Sequence, residues 1–165
     1  MFVALVIVLN ASSANALGDN PGGHHADSQS IGLPGGGSRV NRTIEVEMRD
    51  TMRFTPAEIQ VSPNETIRFV VKNLGKMRHE MILGKDQALK AHNEEMKKAP
   101  EMVHADKSSV TVLPGQAGEI VWTFVTAGTV NFACLQPGHF DAGMKGSILV
   151  GKKSTNQERH PEHKH

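Results

Sequence analysis

The sequence predicts an all-β sandwich of about eight short strands, with one short helix inserted between two of them. Apolar and polar residues alternate at a period of two through most of the middle of the chain, as in Thr43–Arg49, and this alternation is typical of half-buried strands. Turn residues such as Ser62–Glu65 and Pro114-Gly115 separate the alternating stretches at short intervals. The stretch Asp86–Lys98 breaks the pattern because it contains helix formers and no β-branched residue.

The first predicted strand, Thr43–Arg49, places Ile44, Val46 and Met48 on one face, where they can enter a core. The chain then turns at Phe54-Thr55-Pro56. Further strands are predicted, in chain order, at Glu58–Val61, Thr66–Lys72, His79–Leu83, Ser109–Leu113, Glu119–Phe124, Thr129–Cys134 and Gly146–Val150. Many short strands with turns between them are typical of a sandwich of two sheets.

The predicted helix, Asp86–Lys98, carries Leu89, His92 and Met96 at helical spacing on one face. Pro100 follows shortly after it, and a proline at that place ends a helix because it lacks a backbone N–H. We expect the helix to pack on the sandwich.

The 165 residues are enough for one ordinary domain, which is predicted at residues 41–151. Residues 17–40 hold seven glycines and few large apolar side chains, so they are predicted to be a flexible leader, and residues 152–165 a His-containing polar tail. The net charge of +1 gives no reason to expect binding to nucleic acid or to an anionic membrane surface.

The first sixteen residues are predicted to be a secretion signal. Their apolar run, Phe2–Leu9, is too short to span a bilayer, and the small residues after it end in Ala14-Asn15-Ala16, which predicts cleavage after Ala16. A buried N-terminal strand is the alternative. Because the pattern is that of a secretion signal, we expect export to the periplasm. No later stretch is predicted to span a membrane.

Cys134 is the single cysteine, so an exported chain cannot pair it internally. It is therefore buried and inert, catalytic, or covered by a metal. His139 and Met144 follow it at intervals of five residues, and the loops between them bring the three side chains toward one point. Thiolate, imidazole and thioether together favour copper. His79, at the start of a predicted strand, is the candidate for a second imidazole ligand.

The segment from Phe54 to Gly151 resembles the cupredoxins, the small copper proteins that include plastocyanin and azurin. The motifs that carry this resemblance are Phe54-Thr55-Pro56 with Ile59-Gln60-Val61, then Val70-Val71-Lys72-Asn73 leading to His79, and Cys134-x4-His139-x4-Met144. The resemblance implies a Greek-key β-sandwich with one type 1 copper at its end. By position, it implies His79, Cys134, His139 and Met144 as the metal ligands.

The sequence departs from the plastocyanin and azurin pattern beside two of these residues. Glu80 follows His79 where those proteins usually have an asparagine, and an ionised carboxylate cannot donate the same hydrogen bond. The loop before Met144 also differs from that of azurin. We therefore expect a perturbed copper site, which could be green rather than blue.

Three other interpretations of Cys134 stay open at this point. A single cysteine at a strand end can be a small buried hydrophobe. A catalytic pair with His139 would need a third, orienting group, and the sequence does not show one. Zinc rarely takes a methionine ligand, and structural zinc sites prefer more thiolates.

The chain most resembles the periplasmic copper-tolerance cupredoxins of proteobacteria, called CopI-type, which implies copper tolerance with one-electron redox activity and no enzymatic reaction. A dedicated electron-transfer protein is the alternative, and a copper chaperone a third. We expect a monomer that docks a redox or copper-handling partner near His139, on a patch of Leu135, Pro137, Phe140 and Ala142. A second copper site is a further hypothesis, and its candidate residues are His24, His25, Met77, Met81, His92, Met96, Met102, His104, His160, His163 and His165.

Overall fold

The computed structural model describes residues 31–98 and 106–151, and the strands in these ranges form two five-stranded sheets. The strands and the α-helix are β1 (Leu33–Pro34), β2 (Arg42–Arg49), β3 (Arg53–Thr55), β4 (Glu58–Val61), β5 (Glu65–Asn73), β6 (His79–Gly84), α1 (Asp86–Lys98), β7 (Ser109–Val112), β8 (Ala117–Phe124), β9 (Gly128–Ala133) and β10 (Lys145–Val150), and a 3-10 turn spans Gly37–Arg39. The first sheet has the order β1-β8-β5-β2-β3 and the second β4-β10-β9-β6-β7. The predicted all-β sandwich with one inserted helix is confirmed, with ten strands in the described ranges rather than about eight.

The centre of the first sheet is β5, which pairs in parallel with β2 and antiparallel with β8. Its residues Ile67, Phe69 and Val71 alternate with less buried ones and are fully buried, as the period of two predicts. The pairing of Met48 with Asn73 brings the ends of β2 and β5 to the same end of the sandwich. This register places the turn after β2 beside the loop that precedes β6.

The second sheet places the start of β6 beside the end of β9, because the two strands are antiparallel and Ile82 pairs with Ala133. Every residue of β6 is buried. One face of the strand meets the core between the sheets. The other side of the second sheet is covered by α1, through a cluster of Ile82, Leu89, Met96, Ala133, Leu135 and Phe140. The sequence predicted both the bounds of this helix and its packing on the sandwich.

Two short strands were not predicted. Arg53–Thr55 forms β3, at the place where the sequence indicated a turn, and a cis peptide bond between Thr55 and Pro56 follows it directly. Leu33–Pro34 forms β1 within the segment predicted as a flexible leader.

The second part of that predicted leader, from Ile31, packs on the sandwich. Ile31 is buried, its carbonyl accepts a hydrogen bond of 3.2 Å from the indole Nε1 of Trp122, and β1 pairs with β8 to form the edge of the first sheet. The composition of residues 17–40 does not predict these few contacts. An exposed strand edge can order a short peptide through backbone hydrogen bonds alone, whatever its side chains. Residues 1–30, 99–105 and 152–165, which include the predicted signal and tail, lie outside the described residues.

Across the described ranges, none of the helices has the length and apolar character needed to cross a membrane.

Candidate metal centre

The candidate site lies at one end of the sandwich, where β6 begins at His79 and β9 ends beside Cys134. The loop from Cys134 to Met144 closes on itself, because the N–H of Cys134 donates to the carbonyl of Met144 at 3.1 Å. Within the loop, the N–H of Met144 donates to the carbonyl of His139 at 3.0 Å. Gly138 and Gly143 have φ values of +80° and +93°, which favour glycine. These turns return His139 to the cysteine.

The structure brings His79, Cys134 and His139 together. One potential ligand atom from each of these residues lies within 4.8 Å of the others, and all three residues are buried. The Cys134 Sγ lies 3.3 Å from Nδ1 of His139, and the two imidazole rings are 4.9 Å apart between centroids. Among the described residues this is the one group of three or more His, Cys, Asp or Glu side chains with metal-binding geometry.

The Nδ1 atom of His79 is buried and has no hydrogen-bond partner in the described part of the chain. A buried polar atom without a partner is costly unless something binds it. Since the group that contains His79 also offers one sulfur and one further imidazole nitrogen, the arrangement fits a soft or borderline metal such as copper. The residues present therefore fit the predicted metal.

Met144 is fully buried and packs in the same core cluster as Cys134. Its backbone bonds to both Cys134 and His139, so its side chain begins at the edge of the site. Its role as the fourth ligand stays a prediction.

Burial dominates the electrostatics of the site. It raises the pKa of the Cys134 thiol to about 12, although the backbone N–H groups of Gln136 and Glu80 act in the opposite direction. Burial also lowers the pKa of His139, and the nearby His79 adds to the effect. At neutral pH the metal-free site therefore holds a neutral thiol and a neutral His139. A bound cation would favour the thiolate.

Glu80, the residue that departs from the family pattern, connects the two segments that carry the candidate ligands. Its backbone N–H donates to the Cys134 sulfur at 3.3 Å, and its buried carboxyl group accepts from the N–H of Leu135. Burial raises the pKa of this carboxyl group. Glu80 thus links the segments as an acceptor, where an asparagine could also donate.

Asp50 is a residue of the site that the sequence analysis missed. It lies in the turn after β2, and its Oδ1 is 3.0 Å from Nε2 of His79. Its carboxylate also accepts from the backbone N–H groups of Lys76 and Met77, and the bond from Lys76 is the main cause of its lowered pKa. Only the parallel pairing of β2 with β5 could have indicated it, and the sequence does not show which strands pair.

The predicted docking patch is wrong for two of its four residues. Leu135 and Phe140 are buried in the cluster beneath α1, whereas Pro137 and Ala142 are exposed. Exposed apolar side chains near the site come instead from Leu74, Met77 and Leu113. The amide of Asn73 holds these loops together, since its Nδ2 donates to the carbonyls of Met77 and Val112.

The described residues of the hypothetical second copper site do not form a cluster of their own. Met81 is fully buried in the main core, and Met96 lies on the buried face of α1. His92 is buried on the same helix, and Met77 is exposed. The other candidates, His24, His25, Met102, His104, His160, His163 and His165, lie outside the described residues.

A two-sheet sandwich with a buried cysteine and two histidines at one end defines a small copper-binding protein of the cupredoxin class. Residues 40–151 match the sequence model of the copper binding proteins of the plastocyanin/azurin family. The chain belongs to this family, and the predicted copper cofactor is confirmed at the level of the family.

Curated relatives give a closer comparison. The chain is 51% identical over 127 residues to the copper-resistant cuproprotein CopI of Rubrivivax gelatinosus, a match that covers 77% of this chain and 76% of the relative. It is 37% identical over 119 residues to the protein of the same description from Vibrio cholerae, covering 72% of this chain and 70% of that one. The predicted resemblance to CopI-type cupredoxins is therefore confirmed.

Solved structures support the same fold. The reduced auracyanin of Roseiflexus castenholzii superposes with a TM-score of 0.60 at 25% identity, covering 68% of this chain and 98% of that chain. Auracyanin B superposes with a TM-score of 0.59 at 21% identity, covering 73% and 94%, and supports the fold alone.

Proposed function

We propose that this protein is a periplasmic copper-tolerance cupredoxin that binds one type 1 copper through His79, Cys134, His139 and Met144 and has one-electron redox activity. The observation that supports this most directly is the buried group of His79, Cys134 and His139, in which Nδ1 of His79 has no hydrogen-bond partner among the described residues. Copper, when bound, supplies a couple between Cu(II) and Cu(I).

The protein's own contribution is to hold the donors in place. Cys134 is held by the N–H of Glu80, and the loop that carries His139 is closed by the hydrogen bond from the N–H of Cys134 to the carbonyl of Met144. Because these contacts are made by the polypeptide itself, little rearrangement is needed when the charge of the site changes. Burial of the three side chains also keeps water away from the sulfur.

A binding role is favoured over catalysis by Cys134. A nucleophilic cysteine needs a lowered pKa, because the thiolate is the reactive form. Burial acts in the opposite sense here and raises the pKa of this thiol to about 12. We therefore propose that the protein is not an enzyme.

Copper tolerance is supported by relatives that are described as copper-resistant cuproproteins. Export is supported by the signal-like pattern of residues 1–16. A dedicated electron-transfer protein is the second candidate. It is supported by the exposed apolar side chains of Leu74, Met77 and Leu113, which suit a brief encounter with a redox partner.

The first test is a titration of the metal-free protein with Cu(II), followed by visible absorption. We expect an intense thiolate-to-copper band that saturates at one equivalent, is absent in Cys134→Ser and is retained in His92→Asn, which changes a histidine outside the site. Failure of the wild-type protein to develop the band would refute the proposed copper site. A band that survives in Cys134→Ser would exclude this thiol as its source.

A deletion strain separates the two candidate functions. Copper sensitivity with normal respiration is expected for a tolerance protein. A respiratory defect without copper sensitivity would favour the electron-transfer alternative.

A further inference from the structure

We propose that Asp50 is a positioning residue for the copper site: its carboxylate holds His79 in the tautomer that leaves a lone pair on Nδ1 for the metal, and its charge favours Cu(II) over Cu(I). This inference rests on the proposed function, because it assumes that His79 is a ligand.

The first step is the tautomer of His79. An ionised carboxylate can only accept a hydrogen bond, so the short contact of 3.0 Å between Asp50 Oδ1 and His79 Nε2 requires the proton on Nε2. In a neutral imidazole the other nitrogen, Nδ1, then carries the lone pair. Nδ1 is buried and has no hydrogen-bond partner among the described residues, and His79 belongs to the group with Cys134 and His139, so Nδ1 is the nitrogen left for a metal. The carboxylate thus prepares the ring to bind a metal.

The second step is that Asp50 is itself held rigidly. Its Oδ2 accepts from the N–H of Lys76 at 2.8 Å, and its Oδ1 accepts from the N–H of Met77 at 3.3 Å. A Cβ atom at Gly75 would collide with the Asp50 carboxylate, so a glycine lets the loop approach this closely. The N–H of Leu74 donates to the carbonyl of Met48 at 2.9 Å, which ties the same loop to the end of β2.

The third step is charge. His79 is fully buried, whereas the Asp50 side chain is 36% exposed and can remain ionised in contact with water. Its negative charge would act across the His79 ring on a metal held by Nδ1, in addition to the charge of the thiolate. An added negative charge stabilises the divalent ion more than the monovalent ion. A carboxylate that accepts a hydrogen bond from a metal-binding histidine also raises the basicity of that histidine.

The test uses the full chain with Asp50→Asn, which keeps an oxygen acceptor and removes the charge, and Asp50→Ala, which removes both. For Asp50→Asn we expect Cu(II) affinity to fall by about 10- to 100-fold, with a smaller loss for Cu(I), both measured by competition with chelators. The reduction potential should rise by about 59 mV for each tenfold difference between the two losses. Asp106→Asn removes the same charge from a turn before β7, where Asp106 accepts from the N–H of Ser108, and should leave the potential unchanged.

A measurement without copper tests whether Asp50 sets the tautomer of His79. In the metal-free protein, the imidazole ¹⁵N shifts of His79 should report a proton on Nε2, and Asp50→Ala should lose this preference. Gly75→Ala provides a second variant, because its methyl group displaces the Asp50 carboxylate without removing it. It should raise the reduction potential, as Asp50→Asn does.

Three results would overturn the inference. They are an unchanged ratio of Cu(II) to Cu(I) affinity in Asp50→Asn, an equal shift in Asp106→Asn, or an unaltered His79 tautomer in Asp50→Ala. If Asp50→Asn does not fold, Gly75→Ala decides, and an unchanged potential there counts against the role. In each case the proposed function would still stand if the wild-type protein develops its thiolate-to-copper band.

Discussion

The backbone N–H of Glu80 donates a hydrogen bond to the Cys134 sulfur at 3.3 Å, so the strand that carries His79 is joined directly to the thiol. The carboxyl group of Glu80 accepts in return from the N–H of Leu135. Segments 54 residues apart in the chain are therefore held together at the site by the polypeptide alone. The contacts of the polypeptide itself hold the donor atoms close to one another, which is the basis of the following predictions.

Met144→Leu tests the proposed fourth ligand. Met144 is fully buried, and exchange for leucine conserves its volume, so we expect a stability loss below about 1.5 kcal/mol. Because a weak axial thioether tunes a copper–thiolate site, the intense band should persist while the balance of the two visible bands changes. The spectrum and the reduction potential measure this change. Met96→Leu, which changes a buried methionine on α1, should leave both unchanged. An unaltered spectrum in Met144→Leu would remove Met144 from the ligand set.

The pH dependence of copper binding follows from the thiol. Burial raises the pKa of Cys134 from 9.0 to about 12, so the metal-free protein holds this proton at pH values where an unfolded cysteine begins to lose it. Since the metal-bound form has one proton fewer, Cu(II) affinity should rise about tenfold for each pH unit from about pH 8 to 9. His139 adds no proton there, because burial lowers its pKa. Competition titrations against a chelator measure the slope.

A slope near zero in this window would mean that the thiolate forms before the metal arrives. The control is Cys134→Ser, in which the pH dependence of copper affinity should be lost, because a serine hydroxyl does not ionise in this range.

Leu89→Ala tests the support that α1 gives to the ligand loop. Leu89 is buried in one cluster with Leu135 and Phe140, which lie in the ligand loop on either side of His139. Removing its side chain should lower the free energy of unfolding by about 2–5 kcal/mol and speed copper release. Urea unfolding and stopped-flow removal of copper measure the two effects. Leu149→Ala, at a side chain that is 52% exposed, should cost less than about 0.5 kcal/mol. Equal effects of the two changes would mean that α1 does not stabilise the loop.

Deletion of residues 1–34 tests the contribution of β1. The deletion removes the carbonyl of Ile31 and leaves the Trp122 indole N–H without its partner, at a cost of about 1–3 kcal/mol. Trp122 is the single tryptophan and is fully buried, so its fluorescence should shift to longer wavelength as water reaches the ring. Deletion of residues 1–30, which keeps Ile31, is the control and should show neither change. A shift of equal size in both would place the effect outside β1.

Some features were predictable because they depend on residues close together in the chain. The alternation in Thr43–Arg49 and the helical spacing of Asp86–Lys98 reflect which face of a local element is buried, so strands and helix followed from the sequence. The spacing of Cys134, His139 and Met144 is local in the same sense, since one short loop connects all three.

Other features required the tertiary structure. Asp50 lies 29 residues from His79, and only the pairing of β2 with β5 brings its carboxylate to the imidazole. The packing of α1 buries Leu135 and Phe140, which the sequence had suggested as an exposed patch. The sequence by itself thus determined the class of metal and the candidate ligands, because the identity and spacing of these side chains carry that information. The tertiary structure decided which side chains orient them and which surface remains open, because strand pairing and burial depend on the whole chain.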